Sequence, residues 1–230
     1  MNEMVFTGFG RGSQRFFGEL AAHNNKPWFQ ENQGRYERLL LEPAVAFVSA
    51  RGPRLAEMYP SVNYGTQRNG SGSIMRLHRD VRFSPDKSPY KQNLGIVFWI
   101  GSGKKVELPL FYLHVEADRA FFYGGQHVFP KPVLERYRAA VDDDAGTVLV
   151  KTLKALERKD LRVMEEPAYK RVPKGFPTDH PRGTLLRHKG LGVGMDILTA
   201  TLTSPDLVDV CAGVASRTRT LIEWLCDLND

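Results

Sequence analysis

Gln92–Tyr123, QNLGIVFWIGSGKKVELPLFYLHVEADRAFFY, is the stretch that decides the architecture. Three segments in it, Gln92–Ile100, Leu108–Glu116 and Arg119–Tyr123, are rich in β-branched and aromatic residues. Side chains of that kind fit a pleated, half-buried surface. Gly101-Ser102-Gly103-Lys104 and Ala117-Asp118 separate the segments and are short enough to turn hairpins. Ile74–Leu77 has strand character as well, and Gly124-Gly125 closes the run. The spacing predicts an antiparallel β-meander over roughly residues 73–124.

Helical patterns lie on both sides. Ser13 is placed to cap a short helix with Phe16, Phe17, Leu20 and Ala21 on its apolar face. Asn25 or Lys26 before Pro27 starts a second, carrying Trp28, Phe29, Tyr36, Leu39 and Leu40. Pro43 must then kink or restart the helix, because an interior proline loses one hydrogen bond and clashes with the preceding turn. Helical character ends near Tyr59-Pro60, and a glycine-rich loop follows up to Ser73. Beyond the meander, Pro130 or Pro132 opens a helix through Leu134, Tyr137 and Val141. Asp142-Asp143-Asp144 reads as the N-terminus of a helix over Thr147–Arg158, where carboxylates suit the helix dipole, or less simply as a metal-binding run without a second ligand cluster. Pro167–Arg182 reads as loop, Leu191–Leu202 as a strand or strand pair. From Ser204-Pro205-Asp206 onward, Leu207, Val210, Cys211, Val214, Leu221, Ile222, Leu225 and Leu228 recur at helical spacing and predict one long C-terminal helix. The expected fold is α+β: an antiparallel meander flanked by N-terminal helices (residues 13–60) and a mixed C-terminal part (130–230), in one domain over 1–230.

No apolar run reaches the eighteen or more residues of a membrane span, and no secretory signal is readable at the N-terminus, so a cytoplasmic protein is expected. Cys211 and Cys226, on one continuous helix, would stand roughly 22 Å apart, beyond disulfide reach. The net charge of +6 is concentrated in two places. Arg76–Lys91 holds five basic and two acidic residues, and Lys170–Lys189 holds six basic residues and Asp179, while the remainder is slightly acidic. A focused positive patch attracts anions more than the same charge spread thinly.

Asn24-Asn25-Lys26-Pro27-Trp28-Phe29, Arg79-Asp80-Val81-Arg82-Phe83, Asp86-Lys87-Ser88-Pro89-Tyr90-Lys91 and Pro173-Lys174-Gly175-Phe176-Pro177-Thr178-Asp179-His180-Pro181 form a distinctive set. With them the chain resembles the conserved-hypothetical bacterial family called domain of unknown function 2461, over nearly its whole length. The resemblance implies no activity. Two departures are visible: the glycines of Gly190-Leu191-Gly192-Val193-Gly194, and Pro85 within the charged motif.

Arg76, Arg79, Arg82, Lys87, Tyr90 and Lys91, joined by Lys174 and His180 from the proline-rich loop, are the expected ligand-binding residues, suited to a phosphorylated or carboxylated ligand. On a strand, Arg76, His78, Asp80 and Arg82 would share one face. For a reaction, His78 and Asp80 are the nearest acid–base candidates, with Arg82 and Lys87 holding charge. The competing reading makes the charges cross-links: Asp80 pairs with an arginine, Asp86 turns onto Ser88, and Tyr90 packs down. A nucleic-acid module, with Phe83, Tyr90 and Phe176 stacking on bases, is the alternative from another class, although no RNP or helix-turn-helix signature is present. A structural or assembly protein without a ligand is the third. Nothing in the sequence predicts a metal site or a cofactor: P-loop, H-E-x-x-H and C-x-x-C are absent, and glycines 190, 192 and 194 do not fit G-x-G-x-x-G.

Overall fold

The structure, a computed structural model, describes residues 5–229. Six strands, β1 (Val62–Asn63), β2 (Asn93–Ile100), β3 (Leu110–Glu116), β4 (Ala120–Gln126), β5 (Arg162–Val163) and β6 (Leu191–Asp196), form an antiparallel sheet in the order β1-β2-β3-β4-β6-β5. Its centre is the expected meander β2-β3-β4, and the fold is α+β. The helices are α1 (Ser13–Ala22), α2 (Lys26–Tyr36), α3 (Glu42–Met58), α4 (Lys131–Asp142), α5 (Asp144–Glu157), α6 (Gly183–Leu186), α7 (Thr199–Leu202), α8 (Leu207–Arg217) and α9 (Arg219–Asp227). No described helix is long and apolar enough to cross a membrane.

Several local expectations are corrected. Ile74–Leu77 is not a strand; two isolated antiparallel bridges, Ile74 with Ile96 and His78 with Tyr90, replace it. Arg76, His78, Asp80 and Arg82 therefore do not alternate on a strand face. Gly124 and Gly125 do not end the meander but lie inside β4. A Cβ on Gly125 would fall 2.2 Å from the Cα of Gly192, so the backbone there approaches more closely than any side chain permits. The segment after β6 turns into α7 rather than continuing as strand. Gly12, not Ser13, holds the cap position of α1, and Ser13 is buried as the first helical residue. The long C-terminal helix is broken at Thr218. The Thr218 hydroxyl donates to the Val214 carbonyl at 2.9 Å, and back-bonding of this kind bends helices. Cys211 and Cys226 thus sit on separate helices, neither of them in a disulfide.

Within the described residues the chain gathers into two compact units, one built from residues 5–98, 112–122 and 196–212, the other from 99–111, 123–195 and 213–229. The first has an aromatic core: Phe47 meets Phe6 at 5.3 Å and Phe98 at 6.2 Å between ring centroids. Residues 26–58 are helical throughout, and Pro43 leaves its mark on them. Without an N–H, Pro43 cannot donate to the carbonyl four residues back, that of Leu39. The Gly10 N–H donates there instead, at 3.1 Å. The ring is accommodated by a widened turn, a π-helical stretch over Glu37–Leu41, in which the Glu42 N–H donates to the Glu37 carbonyl. Gly10 has no side chain because a Cβ would lie 2.5 Å from the Leu39 side chain.

In the second unit, Tyr137 of α4 is fully buried, stacked on Phe129 at 4.6 Å, with its hydroxyl donating to the Leu185 carbonyl at 3.1 Å. Strand β5 pairs with β6 in the register Arg162–Gly194 and Val163–Val193. Beside this pair Glu165 accepts the Gly192 N–H at 2.7 Å. Burial pushes its carboxyl up to about 7.

Candidate functional site

The expected charged motif folds into a knuckle. At its base the Arg79 N–H donates to the Pro89 carbonyl at 2.9 Å and the Lys91 N–H to the Leu77 carbonyl at 2.8 Å. The intervening backbone groups of Tyr90 face the other way and meet Asn24. Asn24 Oδ1 accepts the Tyr90 N–H at 3.1 Å, and Asn24 Nδ2 donates to the Tyr90 carbonyl at 2.9 Å. One carboxamide thereby stands in for a missing strand. Asn25 caps α2 by accepting the Trp28 N–H at 3.0 Å. Both asparagines of the Asn24–Phe29 motif are thus accounted for structurally.

Most charges of the knuckle are matched within it. Arg82 forms a two-point pair with Asp80, at 2.9 and 2.7 Å. That hydrogen bonding holds the Asp80 carboxyl below its ordinary range and raises the guanidinium. Arg79 pairs with Asp86, whose other oxygen takes the Ser88 N–H at 2.9 Å. The Ser88 hydroxyl first, and Arg79 next, hold the Asp86 carboxyl well below the usual carboxylate range. Lys87 Nζ donates to the Val81 carbonyl at 3.0 Å. Tyr90 is buried and stacked on Phe29 at 4.3 Å. Phe83 at the tip is 93% exposed, with the Arg82 guanidinium 5.8 Å from its centroid.

Arg76 is different. It is exposed, and no hydrogen bond or ion pair joins it to any described residue. With Arg68, which is equally unpaired, it lines a cleft of about 420 Å³ in the first unit. The floor and walls come from Phe29, Tyr36, Leu41 and Leu77, and polar groups from Gln33, Glu37, Asn69 and His78. Gln33 Nε2 donates to Glu37 Oε1 at 2.9 Å. Glu37 and Leu41 are the ends of the π-helical stretch, so the turn forced by Pro43 forms part of the wall. π-turns inside helices occur frequently at functional sites. Lys91 lies half-buried nearby, and desolvation, with Arg76 adding repulsion, lowers its pKa.

In the second unit a separate cleft of about 520 Å³ is lined by Lys170, Arg171, Thr178, His180, Thr184 and Arg187, among others. The His180 side chain is only 7% exposed. Its Nδ1 accepts the Arg182 N–H at 3.0 Å, which leaves Nε2 to donate to Asp142 at 3.1 Å. Arg187 donates to Thr184 Oγ1 at 3.2 Å. Lys174 is exposed but does not line this cleft. Among the described residues, no three His, Cys, Asp or Glu side chains group to hold a metal.

Residues 13–224 match the family described as Conserved hypothetical protein (DUF2461). The chain belongs to that family. No curated protein was found to match it. In this DUF2461 chain the residues that sequence reasoning did not single out are Arg68, Asn69, Gln33 and Glu37. Arg68 and Asn69 sit in a glycine-rich loop without a motif, and Gln33 and Glu37 look like ordinary solvent-facing helix positions. Only the proline at 43, read for its effect on the helix, offered a signal.

Proposed function

We propose that this DUF2461 protein binds a small anionic ligand, phosphorylated or carboxylated, in the cleft that Arg68 and Arg76 share. The observation that carries the reading is the contrast within the basic stretch: Arg79 and Arg82 are spent on Asp86 and Asp80, whereas Arg68 and Arg76 open unpaired onto a cleft. Planar guanidinium forks bind phosphate or carboxylate oxygens in two-point fashion. The aromatic floor and the Gln33, Glu37 and Asn69 side chains suit a ligand with an apolar or hydroxylated body. His78 is the acid–base candidate on this cleft; both oxygens of Asp80 are engaged by Arg82.

Titration of 15N-labelled protein with inorganic phosphate tests this. Shifts are expected at the amides of Arg68, Asn69, Arg76 and His78, and are expected to vanish in an Arg68→Ala, Arg76→Ala double variant of unchanged stability. Uniform shifts, or equal shifts in the double variant, refute it. One observation favours the nucleic-acid alternative: the bare Phe83 ring beside Arg82 could stack on a base. Binding of a single-stranded oligonucleotide that is lost in Phe83→Ala, weakens steeply with salt and ignores the Arg68 and Arg76 changes would select that reading.

A further inference from the structure

The cleft that Arg68 and Arg76 line also takes in a carboxylate, Glu37. The two guanidiniums are carried by the chain between β1 and β2, the carboxylate by the first residue of the π-helical stretch. Coulomb attraction favours closure of opposite charges that share a small cleft. Among the described residues, no ion pair joins Glu37 to either arginine. Gln33, one helical turn back, donates from Nε2 to Glu37 Oε1 at 2.9 Å, which restrains the carboxylate and leaves Oε2 without a partner among the described residues. Phe29 and Tyr36 line the same cleft, and the faces of such rings attract cations. A ligand that is anionic throughout would satisfy Arg68 and Arg76 but set negative charge against Glu37. The fixed charges of the lining are two positive and one negative, so its complement carries two negative charges and one positive.

We propose that the ligand of this cleft is a phosphomonoester that also bears a primary ammonium group. This class narrows the anion reading of the same cleft and rests on it. A phosphomonoester carries close to two negative charges at neutral pH and three strong acceptor oxygens, enough to engage both guanidinium forks. A carboxylate supplies only one charge. An ammonium has three donors and no acceptor. Glu37 Oε2 and the Gln33 carboxamide oxygen, neither of which takes a hydrogen bond from a described residue, are the acceptors on the helical side. The cleft volume of about 420 Å³ suits a small molecule.

O-phosphoethanolamine and propyl phosphate are the probes, matched in length and differing in an ammonium for a methyl group. Each is titrated into the 15N-labelled full chain at neutral pH. The parent is expected to bind O-phosphoethanolamine at least about tenfold more tightly, the scale of one hydrogen bond to a charged group. Glu37→Gln, which keeps an acceptor for Gln33 and removes the charge, should bring the two dissociation constants together without weakening propyl phosphate. Equal affinities in the parent, or a preference that survives in Glu37→Gln, overturn the ammonium assignment. The anion reading then still stands if propyl phosphate binding is lost in the Arg68→Ala, Arg76→Ala double variant. Absence of binding by either probe overturns both. Should Glu37→Gln fail to fold, the ratio of the two affinities in the parent decides.

Discussion

Replacing Asn24 by alanine removes the carboxamide that takes the place of a strand beside Tyr90. Both bonds are lost together, at 2.9 and 3.1 Å, and Tyr90 is only 4% exposed, so water has little access to the freed N–H and carbonyl. A buried backbone group left without a partner costs roughly 1–3 kcal/mol. Two such groups with partial relaxation give an expected loss of about 2–3 kcal/mol. For a chain of this length, that corresponds to a fall in Tm of roughly 4–12 °C. Urea denaturation is the assay, with the midpoint shifted and the slope unchanged. Asn25→Ala is the internal control, since it removes only the α2 cap and should cost about 1 kcal/mol. Asn24→Asp keeps the acceptor for the Tyr90 N–H but sets an oxygen against the Tyr90 carbonyl, so it should rank with alanine rather than with the parent. If Asn24→Ala costs less than Asn25→Ala, or if aspartate is tolerated, the bridge does not hold the knuckle and the reasoning fails.

Gly125→Ala would place a Cβ 2.2 Å from the Gly192 Cα, a backbone clash that no rotamer relieves, and is expected to give insoluble protein or a loss of more than about 3 kcal/mol by denaturant titration. Gly34→Ala, where nothing lies within 4 Å, should be neutral or slightly stabilising in the same measurement. Glu165 gives a pH signature: its folded pKa, about 7, lies above the ordinary 4.5, so the folded state binds the extra proton. Its contribution is present below about 4.5 and is lost as pH rises through about 7, by at most about 3 kcal/mol. Glu165→Gln keeps an acceptor for the Gly192 N–H and should flatten stability between those pH values; an unchanged slope would show that another group is responsible.

Where a residue's consequence is local, the sequence was enough. The β-branched and aromatic runs of β2, β3 and β4, with short turns between them, specified neighbouring antiparallel strands, and Pro27 and Pro43 marked where helices begin. Asp86 turning onto Ser88 and Asp80 pairing with an arginine were also legible, because the partners lie two residues apart. Gly124 and Gly125 misled because a glycine that ends a strand looks the same as one that makes room inside it, at Gly124 for the Phe111 and Thr218 side chains and at Gly125 for the Gly192 backbone. Thr218 misled in a similar way: its hydroxyl bends a helix whose apolar spacing runs on unbroken. Arg68 and Arg76 are separated by a glycine-rich loop, and which of the many cations stay unpaired depends on which carboxylates the folded chain delivers to the others. The chain's own chemistry thus determined its elements and its excess of positive charge. Tertiary structure decided that Arg51 was buried and that Arg68 and Arg76 met no carboxylate.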